Sequence, residues 1–448
     1  MNKNIALTNN ANAGVLKALI GSLIGVGIFF VPFPSQGGET KIPLVTLIDY
    51  IKGFMGGSLQ YLTLGVTILL CVTWVVSRVT KNERIKNYHK KDGKIIGFLF
   101  ILAAIFSILI IYNIGPDWLL HEDVGGLALT LGGSVLLTVS VAGFLVVFLM
   151  AFGFPEFIGT LMEPLMRKIF KVPGRAAVDA VTSFVASPAV GVFVTSQFYR
   201  EGKYTQKEAA SITTNFSVVS IGFFALLASI GGILSYLPHM IITSFIITFI
   251  VAIIMIRIPP LSRKRDVYID GTKYIEDASS NLTERNIFIR ACKAASDRAA
   301  DSGPEVFKIA LWDAIVFAQK IVAYVIAIAT LSLILATYTP FFDYLGAVFQ
   351  YPLDMLQLPN AAQIAPTILI SIAEVALPVI LISSTDAAPM SVFFVCTLST
   401  VQIIFFTESA NAMLESDIPL TFIDLVIIFL IRTLIAIPLV AIATHLIF

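Results

Sequence analysis

The chain has 448 residues, of which 57% are hydrophobic and only 13% are charged, and its mean hydropathy is +0.88. These values exclude an ordinary soluble domain and are typical of a polytopic membrane protein. The formal net charge of +1 gives no reason to expect a nucleic-acid partner. The cysteines and histidines are scattered, and no phosphate-binding loop, zinc-protease motif or nucleophile elbow occurs. We therefore expect neither an enzyme nor an organic cofactor.

Apolar runs of spanning length follow one another along the chain. A transmembrane helix needs roughly 20 apolar residues. That length predicts about nine crossings, at residues 15–33, 60–79, 95–114, 128–152, 208–235, 240–257, 306–337, 389–412 and 421–448. The first run lacks a small-residue cleavage site, so we interpret it as a retained span. The sequence thus predicts an all-α polytopic membrane protein.

Basic residues in the loops predict the orientation of the spans. The segment 78–94 is strongly basic, as is the long connection 257–298, whereas residues 117–123 contain acidic residues and no Lys or Arg. The positive-inside rule then places the N-terminus and these basic loops in the cytoplasm. Residues 34–59, 115–127 and 338–360 are expected to face outward. We expect a multi-pass protein of the bacterial cytoplasmic membrane.

Two shorter and irregular apolar stretches remain, at about residues 176–198 and 362–385. The first is too short for two helical crossings and is interrupted at Pro188, which removes a backbone donor and disfavours helix at the preceding residue. We therefore predict a pair of re-entrant helical hairpins. Broken backbone at membrane depth is tolerated only inside protein or along a water-filled cavity, so the hairpin tips are candidate binding sites.

The two irregular stretches belong to an internal repeat. Ala361 lies 185 residues after Ala176, and the same offset sets Asn215–Ser217 beside Thr400–Gln402. In both copies an amphipathic segment ends at a proline, a broken apolar stretch follows, and a crossing helix with polar residues comes next. The predicted topology makes the two copies enter from opposite sides. Such an inverted repeat would place a binding site near the membrane midplane, although chance similarity between apolar segments is an alternative.

The runs GFPEFIGTLMEPLMR, FKVPGRAAVDAVTSFVASPAVGVFVTSQFYREGKYTQKEA and ITTNFSVVS carry a resemblance to a known family. They resemble the gate-domain, or nucleoside-recognition, membrane proteins, and in particular the YjiH-like family. The likeness also extends to residues 367–411. Gate domains occur in concentrative nucleoside transporters and in the membrane part of ferrous iron transporters. The resemblance implies two opposed hairpins and two unwound helices that enclose a solute and a coupling Na⁺, with elevator-like movement.

This plan divides the chain into four parts. Residues 1–152 are predicted to form N-terminal scaffold spans, and residues 153–257 the first gate-type repeat. Residues 258–305 form a cytoplasmic connection. Residues 306–448 hold the second gate-type repeat with the terminal spans. The base-binding and ribose-binding patterns of the nucleoside transporters are not found, and no GTPase segment accompanies the spans.

Ionisable residues inside apolar segments are costly and are therefore functional candidates. Glu374 lies in the run SIAEVALPVIL of the second hairpin, where it could ligate Na⁺, relay a proton or meet a substrate amine. Asp386 is predicted to form either the second hairpin tip or, with Ser384 nearby, the cap of the next helix. Glu408 and Gln402 fall near one face of the predicted helix over 389–412.

Polar residues near the hairpins complete the predicted substrate site, which consists of Ser187, Asn215, Ser217, Glu374, Ser384, Asp386, Gln402, Glu408 and Asn411. A coupling Na⁺ is expected near Ser187, Thr214 and Asn215, because hydroxyl and amide oxygens suit hard cations. The alternative is that these side chains only form hydrogen bonds between helices. Asp313 and Lys320, seven residues apart in one span, are predicted to pair.

The sequence therefore predicts a secondary active transporter of a small polar solute, such as a nucleoside, an amino acid or a small peptide, coupled to Na⁺ or H⁺. The alternative is a non-transporting membrane module or assembly partner that shares only the fold. The expected partners are the lipid bilayer and the solute, and the flanking spans allow a homo-oligomer.

Overall fold

The computed structural model describes residues 2–31, 33–34, 40–80, 82–90, 92–273 and 286–448, without the side chains of residues 2–14, 30, 34 and 40. Residues 35–39 of the predicted outward segment, and Lys81, Lys91 and Arg285 of the basic loops, lie outside this part. A short antiparallel pair joins β1 (Phe33–Pro34) to β2 (Thr40–Lys41). The rest of the regular structure that is described is helical, which confirms the all-α fold class.

The N-terminal part contains the helices α1 (Asn2–Phe30), α2 (Pro43–Met55), α3 (Ser58–Val79), α4 (Glu83–Tyr88), α5 (Lys94–Ile111), α6 (Asp117–Leu120), α7 (Leu127–Leu145) and α8 (Val147–Met150). A π-helical turn, Glu122–Gly126, precedes α7. The next part contains α9 (Phe154–Phe170), α10 (Ala176–Val185), α11 (Pro188–Arg200), α12 (Gln206–Phe216), α13 (Ile221–Ile230) and α14 (Leu237–Met255). Two 3₁₀ turns, Leu234–Tyr236 and Leu261–Arg263, flank α14.

The C-terminal part begins with α15 (Ile287–Asp301), α16 (Glu305–Tyr324) and α17 (Thr330–Tyr338), the last two joined by a π-helical turn, Val325–Ala329. It continues with α18 (Phe341–Met355), α19 (Ala361–Ile370), α20 (Leu377–Ser383), α21 (Pro389–Gln402), α22 (Ser409–Glu415) and α23 (Phe422–Ile447).

Seven segments of the described chain are long and apolar enough to cross a membrane: Ser58–Val79, Lys94–Ile111, Glu122–Met150, Gln206–Ile230, Leu234–Met255, Glu305–Tyr338 and Phe422–Ile447. Seven of the nine predicted spans correspond to these segments. The first predicted span holds a shorter apolar helix, Val15–Phe29, and the span predicted at 389–412 is divided into two short helices. The chain is therefore a polytopic membrane protein by the length and composition of its helices.

Two helices that the apolar pattern predicts to be continuous are interrupted. The span over 208–235 breaks at residues 217–220, and the span over 389–412 breaks at residues 403–408. The prediction that Gln402 and Glu408 share one helical face is therefore wrong, because a 3.6-residue period does not continue across a break. Ile403 has φ 63°, a left-handed conformation that is strained for a β-branched residue. Apolar composition alone cannot reveal such a break.

The order of elements from α9 to α14 is the same as the order from α18 to α23. In each series a helix with an internal or early proline precedes two short packed helices, then a helix, a break, a helix and a long helix. Helices of the two series also contact each other. Helix α11 of the first series packs against α22 of the second, and α20 of the second packs against α13 of the first. Because α11 corresponds to α20 and α13 to α22, these two contacts are equivalent, as a two-fold relation between the repeats would produce.

Candidate functional site

The site forms where the two helix breaks meet the tips of the two short helix pairs. The first tip lies at Ala186–Ser187, between α10 and α11, and the second at residues 371–376, between α19 and α20. Ser187 caps α11 by accepting a hydrogen bond from the Val190 amide, at 3.4 Å. The proline that follows it lacks a donor, which is tolerated in the first turn of a helix.

Each tip supports the break of its own repeat. In the first repeat the Ser183 hydroxyl donates to the Val218 carbonyl, at 2.6 Å. In the second repeat the amides of Phe406 and Thr407 donate to the carbonyls of Ile372 and Ala373, at 2.7 and 3.2 Å. Backbone groups that leave a helix inside a membrane protein need partners of this kind. The breaks are therefore specific, bonded features of the fold.

Glu374 lies within the second tip and is almost completely buried. The Thr407 hydroxyl donates to its Oε2, and the Ala376 amide donates to its Oε1, at 3.1 Å. The carboxylate thereby joins the tip to the break at residues 403–408. The described contacts give it no cationic partner. A carboxyl group held in this way can donate or accept a proton, or bind a cationic group.

Glu408 ends the second break and reaches the first repeat. Its Oε1 accepts a hydrogen bond from the Ala189 amide, at 3.1 Å, and its carboxylate is also bonded to Ser187. These groups belong to the N-terminus of α11, where free amides favour an anion. Glu408 and Glu374 are close enough for their charges to interact. The tertiary structure thus brings together three of the predicted residues from the two repeats, Ser187, Glu374 and Glu408.

Lys52, which was not predicted as a site residue, approaches the same group from α2. Its Nζ donates to the Ser134 hydroxyl, at 2.6 Å. Burial lowers the pKa of Lys52, while the charges of Asp49 and Glu408 act in the opposite direction. Lys52 is only half-buried, and its neighbours in the sequence do not distinguish it from an ordinary surface lysine. Only the fold shows that it lies near enough to Glu408 for the two charges to interact.

Gln402, at the end of α21, is fixed on three sides. Its Nε2 donates to the Ile368 carbonyl and to the Thr433 hydroxyl, each at 2.8 Å, and the Ser371 hydroxyl donates to its Oε1. It therefore ties the second tip to α23. Asn411 donates to the Phe406 carbonyl, whereas its buried Oδ1 has no partner within the protein. Gln402 is fully bonded to groups of α19, α23 and the second tip, so hydrogen bonding between helices explains part of its presence.

Asn215 lies one residue before the end of α12 and meets a buried arginine. Its Nδ2 donates to the Ser211 carbonyl at 2.8 Å, and its Oδ1 accepts from Arg432 Nη1 at 2.9 Å. Thr214 donates to the Ala210 carbonyl within its own helix, at 2.7 Å. Ser217 is buried as the first residue of the break. Arg432 was not predicted, yet an arginine inside a long apolar run is itself a signal of function.

Two predicted residues are placed elsewhere. Ser384 and Asp386 are exposed in the turn after α20, and the cap of α21 is Ala388. Asp386 is therefore neither at the hairpin tip nor the cap of the next helix. The tip lies at the other end of α20, seven residues or about 10 Å away along the helix axis. The predicted Asp386 cap rested on capping propensity, but α21 begins only after Ala388, two residues further along the chain.

A charged cavity of about 290 Å³ lies between α11, α16 and α22. Arg200 binds Asp313 at 2.6 Å and Asp417 at 3.7 Å. Lys320 binds Asp92 at 3.1 Å and Glu415 at 3.3 Å. The predicted pairing of Asp313 with Lys320 is wrong, because seven residues of helix separate them by about 10 Å along the axis. Each binds a partner on another element instead.

The comparisons with known proteins agree with this architecture. The family model of the Gate domain, described as nucleoside recognition, matches residues 133–234, which include the first tip and the first break. The chain is 33% identical, over 446 residues, to an uncharacterized protein of Alkalihalophilus pseudofirmus, covering 97% of this chain and 95% of that protein. It is also 33% identical over 96 residues to the sporulation integral membrane protein YlbJ of Bacillus subtilis, 19% of this chain and 23% of that protein.

No solved structure matches the chain. The relationship to the Alkalihalophilus pseudofirmus protein extends over nearly the whole of both sequences, and the Gate match falls on the repeat that holds the first hairpin tip. The chain therefore belongs to the same family as that protein, a family of polytopic membrane proteins with a Gate domain.

Proposed function

We propose that the protein is a secondary active transporter of a small polar solute, a nucleoside, an amino acid or a small peptide, coupled to H⁺ or Na⁺. The observation that carries the proposal is Glu408, which leaves the broken helix of one repeat and binds the hairpin tip of the other. A scaffold protein has no need to hold two carboxylates, Glu374 and Glu408, at the meeting point of two tips and two breaks. Transporters place their sites at such points.

The solute class follows from the groups at the site. Glu374 and Glu408 can accept hydrogen bonds from amino or hydroxyl groups, and the half-buried Lys52 ammonium can donate, since the α11 amides of Ala189 and Val190 already bind Glu408 and Ser187. A solute that carries both donors and acceptors would match this arrangement. Nucleosides, amino acids and short peptides share that property, while purely apolar molecules lack it.

The mode of movement is proposed from the contacts of α16. The ion pairs Arg200–Asp313 and Lys320–Glu415 link this helix to α11 and α22, which carry the site. In an elevator-like mechanism the two tips and breaks would move together past the scaffold spans, and these two ion pairs, the first partly exposed and the second buried, would break and re-form. We propose that the short helix pairs α10–α11 and α19–α20 are re-entrant hairpins in a bacterial cytoplasmic membrane, with the N-terminus in the cytoplasm.

The test is solute binding followed by transport. The detergent-purified full chain is heated with nucleosides, amino acids and dipeptides, each in Na⁺ and in choline, at two pH values. A bound ligand at about 100 times its Kd stabilises the folded state by about 2.7 kcal/mol. A solute that raises the melting temperature is then offered to proteoliposomes under an imposed ion gradient. Accumulation against its own gradient is expected, and Glu374→Gln and Asn215→Ala should strongly reduce it.

Glu83→Gln serves as the control, because Glu83 is an exposed carboxylate on the short helix α4. It should leave accumulation unchanged. If no solute in the panel binds or moves in any ion, the protein is better described as a non-transporting module. Normal accumulation by Glu374→Gln would instead show that the site has been assigned to the wrong residues.

A further inference from the structure

The C-terminal ends of two broken helices are connected by one buried side chain in this protein. Helix α12 ends at Phe216 and α21 at Gln402, and each break frees carbonyls that have no partner within their own helix. The C-terminal end of a helix also carries partial negative charge. Discontinuous helices in transporters use such carbonyls to coordinate the coupling cation. A positive charge is therefore favoured at the C-terminal ends of α12 and α21.

That charge is supplied by Arg432, from the middle of the long helix α23. Its Nε donates to the Val401 carbonyl at 2.5 Å, and its Nη1 donates to Asn215 Oδ1 at 2.9 Å. The arginine side chain is completely buried. One guanidinium thus connects the end of α21 in the second repeat with the end of α12 in the first. Arginine keeps its charge in proteins and presents several donors in a rigid plane.

No carboxylate neutralises this charge. Within the described parts of the chain, none of the ion pairs includes Arg432. Its Nη2 has no hydrogen-bond partner among the residues that the structure describes. A buried charge without a counterion is costly, and the two acceptors that it does have are a helix-end carbonyl and an amide oxygen. These are the oxygen types that bind Na⁺ in other proteins.

We propose that the Arg432 guanidinium permanently occupies the position between the two helix breaks that a coupling cation would take, so that Na⁺ does not drive transport in this protein. The proposal rests on the transporter function proposed above and revises the expected Na⁺ position near Asn215, whose Oδ1 is already bound. Arg432 is a positioning residue: it holds the two breaks together without needing to touch the solute. The coupling ion, by this reasoning, is H⁺.

The first test uses ions alone, so that it does not depend on knowing the solute. The melting temperature of the full chain is measured in NaCl, KCl and choline chloride at equal ionic strength and pH. The wild type is expected to melt at the same temperature in all three salts. Arg432→Ser frees the Val401 carbonyl and Asn215 Oδ1, and we expect its melting temperature to rise with Na⁺ concentration but not with choline. Arg432→Lys, which keeps a cation, should stay insensitive to Na⁺.

Arg200→Ser is the matched control. It makes the same replacement at an arginine whose side chain is 38% exposed, and should give no Na⁺ response. Asn215→Asp provides a second variant in case Arg432→Ser does not fold. The new carboxylate is the same size and can still accept from Nη1, so the variant should fold and remain insensitive to Na⁺.

Na⁺-specific stabilisation of the wild type or of Asn215→Asp would overturn the proposal, as would a folded Arg432→Ser that ignores Na⁺. Once a solute is identified, Na⁺-gradient-driven accumulation by the wild type would also overturn it. Accumulation driven by a pH gradient in the absence of Na⁺ would support it. If no solute moves under any gradient, the transporter function fails, whereas the melting experiments still decide whether Arg432 holds a cation position.

Discussion

The two repeats have the same order of helices and breaks but carry different chemistry. The first tip and break hold neutral groups at Ser187, Asn215 and Ser217, whereas the second hold the carboxylates Glu374 and Glu408. The long helices that close the repeats differ in the same way. With the offset of 185 residues, Arg432 in α23 corresponds to Ile247 in α14, and both are buried. The backbone is repeated while the charges are not.

This difference makes the site between the two repeats asymmetric in charge, although the repeats share one backbone architecture. The carboxylate of Glu408 reaches from the second repeat to the neutral tip of the first, and Arg432 reaches from the second repeat to Asn215 of the first. In both contacts the charged side chain belongs to the second repeat and its partner belongs to the first. Close to the equivalent position of the first repeat, Ser244, three residues before Ile247 in α14, shares a neutral hydrogen bond with Thr400 at 2.9 Å. The second repeat therefore supplies the charged side chains, and the first repeat supplies the helix N-terminus and the side-chain amide that bind them.

The largest effect is expected from removing a charge of the second repeat. Glu374→Gln keeps the size of the side chain but removes a charged acceptor that is worth about 1.5–3 kcal/mol. We expect solute affinity or uptake to fall by about 10- to 100-fold. Asp386→Asn, in the exposed turn after α20, should change neither. An equal loss in both variants, measured by uptake into proteoliposomes, would contradict the placement of the site at residues 371–376.

The next largest effect concerns the close packing of the first hairpin. A Cβ atom added to Gly191 in α11 would lie 2.7 Å from Ser183 Cβ in α10. Gly191→Ala should therefore reduce the free energy of unfolding by about 1–3 kcal/mol through overpacking. Gly222 in α13 has open space around its Cβ position, and Gly222→Ala should be neutral or slightly stabilising. Melting in detergent compares the two, and equal stability would argue against tight contact within the hairpin.

A smaller effect is expected from the helix caps that frame the repeats. Thr205 and Glu208 form a capping box at the start of α12, and Thr421 and Asp424 form another at the start of α23. Thr205 is buried and Thr421 is exposed, so water can replace the lost bond only at Thr421. Thr205→Ala should cost about 1–2 kcal/mol and Thr421→Ala about 0.5 kcal/mol. Chemical or thermal unfolding of both variants checks this order.

The smallest effect concerns an ion pair that only the first hairpin has. Arg200 in α11 binds Asp313 in α16, while α20 of the second hairpin contains no charged residue. The pair is partly exposed and should contribute about 0.2–1 kcal/mol, less at high salt. A double-mutant cycle with Arg200→Gln and Asp313→Asn measures the coupling at two salt concentrations. A coupling that does not change with salt would indicate that the pair is more deeply buried than the structure shows.

The sequence by itself determined the membrane class and most of the spans, and it indicated the repeat and made Glu374 a candidate site residue. Those features depend on composition, on run length and on a carboxylate inside an apolar run, and all of these are local. The tertiary structure decided the breaks at residues 217–220 and 403–408, the approach of Lys52 and the role of Arg432. A helix break depends on whether distant groups, such as Ile372 and Ser183, can bond the freed backbone, and no local pattern records those partners. The charge of Arg432 is visible in the sequence, but only the fold shows the two helix ends that require it.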